Sequence, residues 1–318
     1  MTGAAGMGIV AWMMRISTRR SGALAAAVVL AAAGCGGGGG GERERAPAPR
    51  AASPSASPTA TPLPEPDGKL AKNPTGLAQD LERTDRALRL AVDEWVRSDP
   101  SRTGPPDAVV HLALRQQRIY RVLAKDDGLE KRTRDLLPGG VAAATRDNTV
   151  AVRKLLELAK PEDDLGKFRT REPLPAGVLL KHFKDAGKRF GIDWQVLAAI
   201  MLVETKYGRI KSPSWAGAKG PMQFLPATWR QYGMGGDIHD PRDAVMGAAN
   251  YLKASGAPDD YRRALHAYNP TPLYVDAVQR HARRMKSDPR AYYAYYNWQV
   301  FVVTTRGDVR ITGPGARR

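Results

Sequence analysis

The spacing of apolar positions sets out the plan of the chain. Leu77, Leu81, Leu88, Ala91 and Trp95 recur at three, four or seven, one face of a helix. A Pro/Gly break at Asp99-Pro100 and Gly104-Pro105-Pro106 separates it from a second helix over roughly 107–125. Pro138-Gly139-Gly140 marks another break. A third helix then runs to about Ala159, with Val141, Thr149, Val152 and Leu156 on one side. Charged residues take the opposite faces. The region 70–165 reads as a helical accessory domain with no catalytic constellation. Its plain role is packing or spacing; the alternative is a binding role.

The next stretch, 174–286, is again mainly helical. Asp193 is a good N-cap for a helix beginning at Trp194, and Gly208 a good C-cap. Between them Val196-Leu-Ala-Ala-Ile-Met-Leu-Val203 is apolar on all sides, which predicts deep burial. Asp240 reads as a second N-cap, with Pro241 at the first helical position and Asp243 closing the box. The tail, 287–318, changes period. Tyr292, Tyr293, Tyr295, Tyr296 and Trp298 form an aromatic segment that reads as packing rather than a sugar platform. Val300–Thr305 and Val309–Ile311 alternate as strands around Arg306-Gly307-Asp308, which predicts a β-hairpin. The fold class expected is mainly α, with a short C-terminal hairpin.

The first residues differ from the rest. Arg15, Arg19 and Arg20 precede an apolar stretch from Ala23 to Ala33, the order of a secretory signal. That stretch is too short for a membrane span, which needs about 20 residues. Ala-Ala-Ala-Gly34 then meets Cys35, the chain's one cysteine, and resembles a lipobox. Residues 1–35 are thus expected to be a lipoprotein signal, with Cys35 lipidated. From 36 to 69, glycines and then Pro47, Pro49, Pro54, Pro58, Pro62, Pro64 and Pro66 make an extended linker that cannot bury apolar area. The expected location is the outer face of the cell membrane, facing the wall. The net charge of +17 over 318 residues favours anionic partners. Nucleic acid is not expected among them, because the basic residues are spread through amphipathic segments and the chain carries an export signal.

Glu204 follows the apolar run directly. A carboxyl at the end of a buried helix loses solvation, which raises its pKa and suits it to act as a general acid. Position alone leaves ion pairing with Lys206 or Arg209 as an alternative.

Further motifs follow in order: Ser214-Trp-Ala-Gly-Ala-Lys-Gly-Pro-Met-Gln223, Ala267-Tyr268-Asn269 and Tyr274-Val275. With Glu204 they resemble the family 23 lytic transglycosylases of the lysozyme-like superfamily, over roughly 174–286. The segment Asp240–Leu252 is similar to the neighbouring family 103. The resemblance implies a lysozyme-like helical catalytic domain that cleaves peptidoglycan glycan strands. It implies Glu204 as the single catalytic acid/base. It implies substrate contacts by Ser214, Met222, Gln223, Tyr268 and Asn269, with the Tyr268 hydroxyl near the carboxyl. It implies no cofactor and no metal. The chain departs from the family where Thr205 stands for the usual serine, Pro221 for leucine, and Pro270-Thr271-Pro272 for small residues.

Most glycosidases use two carboxyl groups. The nearest acids to Glu204 are Asp237, Asp240 and Asp243; Asp240 and Asp243 read as capping residues and Asp237 has no assigned role. A lone acid fits transglycosylation, in which the muramyl 6-hydroxyl attacks intramolecularly and leaves a 1,6-anhydro end. Two alternatives stand beside it: a hydrolytic muramidase of goose-lysozyme type, and a wall-binding lipoprotein without activity. His266 reads as a packing residue.

Overall fold

Helix α1 (Pro74–Arg97) starts on Asn73, whose side-chain oxygen accepts the Gly76 N–H at 2.7 Å, with Pro74 in the first turn. Its buried face carries Leu77, Leu81, Leu88 and Trp95, as the spacing predicts. It packs against α2 (Asp107–Leu123) and α3 (Asp127–Arg134). The computed structural model describes residues 62–316. Cys35, the signal segment and most of the linker lie outside them.

Sequence periodicity does not reveal α3, whose only buried residues are Glu130 and Thr133. Helix α4 (Gly139–Leu158) corrects a second reading. Gly139-Gly140 forms its first turn rather than a break, with Pro138 as N-cap. First-turn amides have no partner within a helix, so a glycine pair there forgoes less than it would in the interior.

Helix α5 (Ala176–Phe190) ends on Gly191 in the left-handed region at φ 69°. Helix α6 (Trp194–Thr205) is buried continuously from Val196 to Thr205 and packs against α5, α8 (Pro241–Ala254), α10 (Pro272–Ser287) and α11 (Arg290–Tyr296). Asp193 occupies its N-cap position, but its side chain does not cap. Its carboxylate instead takes the Lys286 ammonium at 3.0 Å. The short helices α7 (Pro226–Tyr232) and α9 (Tyr261–Tyr268) complete the α-helices of the described residues.

Helix α10 packs on α6 and also on α4. Asp147 of α4 receives Arg280 at 3.0 Å and Arg283 at 2.6 Å. The aromatic segment is packing. Tyr292, Tyr295, Tyr296 and Trp298 are buried. The Tyr292 hydroxyl donates to the Ala176 carbonyl at 2.7 Å, and that of Tyr295 to Asn148 Oδ1 at 2.6 Å. From Leu63 onward the described residues form one compact unit.

The hairpin pairs β1 (Phe301–Thr304) with β2 (Gly307–Arg310), and its turn is Thr305-Arg306. Gly307 and Asp308, read from sequence as turn residues, already lie in the strand. Asp308 is held there by Arg121 at 2.7 Å and Lys125 at 2.8 Å. Thr305 is fixed outside by Asp163, which accepts its N–H at 2.9 Å and its hydroxyl at 2.7 Å. The class is mainly α with a C-terminal hairpin, as expected. Among the described residues no helix is long and apolar enough to cross a membrane.

Candidate active site

Helix α6 ends in an abrupt reversal. Lys206, Tyr207 and Gly208 are all left-handed, with φ of 50°, 60° and 85°. The exit therefore begins at Lys206, two residues before the glycine that the sequence suggests. The Lys206 N–H returns to Leu202 O and the Tyr207 N–H to Met201 O, both at 3.2 Å, which satisfies carbonyls the helix would leave open. Thr205 ties this end to the following loop. Its hydroxyl donates to the Pro221 carbonyl at 2.7 Å and accepts the Gly208 N–H at 2.9 Å.

Glu204 is held by this turn at 4 % exposure. Its Oε2 atom has no hydrogen-bond partner among the described residues. Burial pushes the carboxyl up to about 8, against weaker opposing pulls from the Tyr274 hydroxyl and the Lys206 ammonium. Neither cation suggested as an ion-pair partner takes that role. The Lys206 ammonium donates to Leu202 O at 2.9 Å, and the Arg209 guanidinium lies 5.4 Å from the Tyr296 ring centre. Glu204 is thus a buried carboxyl that keeps its proton at neutral pH, which is the state a proton donor requires.

Two tyrosines flank it. Tyr274 is fully buried, and its hydroxyl, which acts on Glu204, closes no hydrogen bond of good geometry. The Tyr268 ring stacks on that of Tyr274 at 6.4 Å with an interplanar angle of 4°. The Tyr268 hydroxyl donates to the Met222 carbonyl at 2.6 Å. Burial, with Glu204 as the next contribution, holds both phenols well above their ordinary range, so both stay neutral. The hydroxyl free to act on Glu204 is that of Tyr274. Sequence reasoning registered this residue only as part of a Tyr-Val motif and gave it no role.

The loop between α6 and α7 carries the other expected contacts. Ser214 Oγ accepts the Ala218 N–H at 3.0 Å, and Lys219 bridges to Phe224. Gly220 sits at φ 74°, where an added Cβ would lie 1.8 Å from the Ile238 carbonyl oxygen. Gln223 is also left-handed at φ 52°, and its amide nitrogen donates to Gly220 O at 2.9 Å. Met222 is wholly buried, so its carbonyl rather than its side chain engages Tyr268. Asn269, the residue after Tyr268, is 3 % exposed with Oδ1 unpartnered. The contacts bring Glu204, Thr205, Met222, Tyr268 and Tyr274 together. The hydrogen bonds of Ser214 and Gln223 stay within their own loop.

The three aspartates are occupied elsewhere. Asp240 caps α8 by accepting the Asp243 N–H at 3.0 Å, as the sequence predicts. Asp243 in turn accepts the Asp237 N–H at 3.0 Å, and Asp237 accepts the His239 N–H at 2.8 Å. His266 is exposed, which corrects its reading as a packing residue: α9 buries Ala264, Leu265 and Tyr268, and position 266 falls on its other face.

Comparison with known proteins points the same way. Over 184 residues the chain is 29% identical to Membrane-bound lytic murein transglycosylase F of Thiobacillus denitrificans, covering 54% of this chain and 38% of that protein. A protein of the same name from Pseudomonas putida is 31% identical over 117 residues, 34% of this chain and 24% of its own length. Membrane-bound lytic murein transglycosylase F 1 of Alkalilimnicola ehrlichii is 29% identical over 115 residues, 34% of this chain and 23% of its own. The chain thus spans well under half the length of these curated relatives. No solved structure matches it. Residues 181–290 match the family model described as Transglycosylase SLT domain, and that stretch contains Glu204, the 211–224 loop, Tyr268, Asn269 and Tyr274.

Proposed function

We propose that this protein is a lytic transglycosylase that cleaves peptidoglycan glycan strands, with Glu204 as its acid/base. The observation that supports this most is the carboxyl itself. It is buried at the end of an apolar helix, pushed up to about 8 and without an ion-pair partner among the described residues. Glu204 donates its proton to the oxygen between N-acetylmuramic acid and N-acetylglucosamine. The substrate's acetamido group stabilises the positive charge at the anomeric carbon. The ionised Glu204 then takes the proton of the muramyl 6-hydroxyl as that oxygen attacks, giving a 1,6-anhydro end. Holding the acceptor within the same sugar favours it over water.

The Tyr274 hydroxyl is the group that steadies the carboxylate once its proton has left. Tyr268, through Met222, keeps the loop against the carboxyl. Ser214, Gln223 and Asn269 are the polar side chains assigned to the glycan, and Met222 acts through its main chain. The engagement of Asp237, Asp240 and Asp243 with nearby backbone N–H groups, those of His239, Asp243 and Asp237 in turn, favours the single-acid route over a two-carboxylate muramidase.

The N-terminus fits the same setting. Residues 1–35 are proposed to export the chain and Cys35 to anchor it to the outer face of the membrane, with 36–69 as a tether toward an anionic wall. Metabolic lipid labelling that is lost in Cys35→Ala tests the anchor. Digestion of isolated peptidoglycan, read by mass spectrometry without reduction, tests the chemistry. Anhydro-muramyl ends from the wild type and none from Glu204→Gln are expected. Reducing ends instead would move the protein to the muramidase class.

A further inference from the structure

Behind α6 lies a cavity of about 70 Å³ that none of Glu204, Tyr268, Tyr274 or the 211–224 loop lines. Its walls are mostly apolar, among them Val152, Leu155, Leu156, Leu202 and Phe301. No acidic residue lines it, yet two cations do, Arg121 and Lys206. The Arg121 charge is met by Asp308 at 2.7 Å. The Lys206 charge is not met: its ammonium has one neutral partner, the Leu202 carbonyl at 2.9 Å. Glu204, the carboxyl that acts on it, is itself held protonated. Burial accordingly pulls the Lys206 amine down to about 8.

Two further polar atoms on the wall are open. Trp298 Nε1 and His281 Nδ1 are buried without hydrogen-bond partners among the described residues, and the two residues are 2 % and 1 % exposed. Gln117 and Gln299, also on the wall, are engaged: the Gln117 amide donates to Gln299 O and accepts the Gln299 N–H, both at 2.8 Å, and the Gln299 side chain donates to Asn297 O and accepts the Thr312 hydroxyl. An ammonium whose charge is unmet and an indole N–H without a partner, in an otherwise apolar chamber, form an incomplete set of donors. Buried polar groups normally find partners, so such a set points to an absent acceptor.

We propose that this cavity is a second binding site, specific for a small monocarboxylate with a short apolar tail. One negative charge matches the one uncompensated ammonium. A dianion would bring a charge that the chamber cannot neutralise, and desolvating it would be unfavourable. The indole N–H of Trp298 takes the second carboxylate oxygen, and the tail lies along Val152, Leu155 and Leu156. The chemistry is shared by two sources, a free fatty acid and the C-terminal alanine of a wall peptide.

The test is titration of the full-length protein with hexanoate, with N-acetyl-D-alanine and with inorganic phosphate, followed by the indole N–H resonance of Trp298. Saturable binding of either carboxylate is expected, and the tighter of the two identifies the source. Lys206→Met should weaken it by about tenfold or more, since it removes the charge that the carboxylate meets. Leu156→Trp fills the chamber without removing any of its polar groups and should abolish binding; it serves where Lys206→Met fails to fold. Carboxylate binding that neither variant changes, no saturable binding, or equal binding of phosphate would each overturn the proposal.

Discussion

The Thr205 hydroxyl donates to the main-chain carbonyl of Pro221 at 2.7 Å and so fastens the residue beside Glu204 to the loop that carries Met222 and Gln223. The same oxygen accepts the Gly208 N–H. Thr205→Val keeps the shape but strands both backbone groups in a buried site. Each buried polar group left without a partner costs about 1–3 kcal/mol. The melting temperature is expected to fall and glycan release to fall with it. Thr205→Ser, which keeps the hydroxyl, should restore both. Full activity in Thr205→Val would show that the loop needs no such fastening.

Glu204 makes both activity and stability depend on pH. Burial raises its folded pKa from the ordinary 4.5 to about 8. As a proton donor it is lost as pH rises through 8, so the alkaline limb of the activity profile should fall there. For stability, the folded state binds the proton more tightly than the unfolded chain between 4.5 and 8. The contribution is fully present below 4.5 and is lost as pH rises through 8. Glu204→Gln has no proton to lose. It should therefore melt above the wild type at pH 9, by on the order of a few kcal/mol, and about level with it at pH 4. Parallel melting curves for the two proteins across this range would contradict an elevated folded pKa.

Gly220 sits where no other residue fits. Its φ of 74° is left-handed, and a Cβ would approach the Ile238 carbonyl oxygen to 1.8 Å. Gly220→Ala must push the loop away from the segment that leads into α8. Strain at a left-handed position costs about 1–3 kcal/mol before any clash is added. Because Gln223 donates its side-chain amide to Gly220 O, the displacement should reach the proposed glycan contacts. Glycan release is expected to fall by more than tenfold, an estimate of the rate lost when a binding loop is misplaced by about 1 Å. Unchanged release from walls would show that the loop plays no part in holding substrate.

Local signals in the sequence explain what could be read and what could not. The uninterrupted apolar run of 196–203 announces a buried helix, and a carboxyl straight after it is conspicuous. Asp240 with Pro241 marks a helix start that the backbone confirms. Asp193 carries the same local signal, yet Lys286 takes its carboxylate, a partner 93 positions away that no local pattern contains. The role proposed for Tyr274 is hidden for a related reason. Its motif was visible, but which of two stacked tyrosines has a hydroxyl to spare depends on where Tyr268 finds its acceptor, Met222, 46 positions back. Helix α3 carries no periodic signal because it buries Glu130 and Thr133 rather than an apolar stripe.

A longer-range polar link of this kind joins the first helices to the tail. Gln117 of α2 exchanges two hydrogen bonds with the Gln299 main chain across 182 positions, just before the hairpin begins. Its side-chain amide serves Gln299 as a paired strand would. Gln117→Leu has nearly the same volume but leaves both the Gln299 N–H and C=O buried and unmet. Each is expected to cost about 1–3 kcal/mol. Because α10 also packs on α4, the loss should appear as one lowered transition rather than as early release of the hairpin. Hydrogen exchange distinguishes the two. A uniform loss of protection across α4, α6 and α10 is expected in the variant, with Glu204 and its tyrosines included. Exchange confined to 299–312 would mean that the tail is a separable appendage and that the helices of 74–158 hold the catalytic half without it.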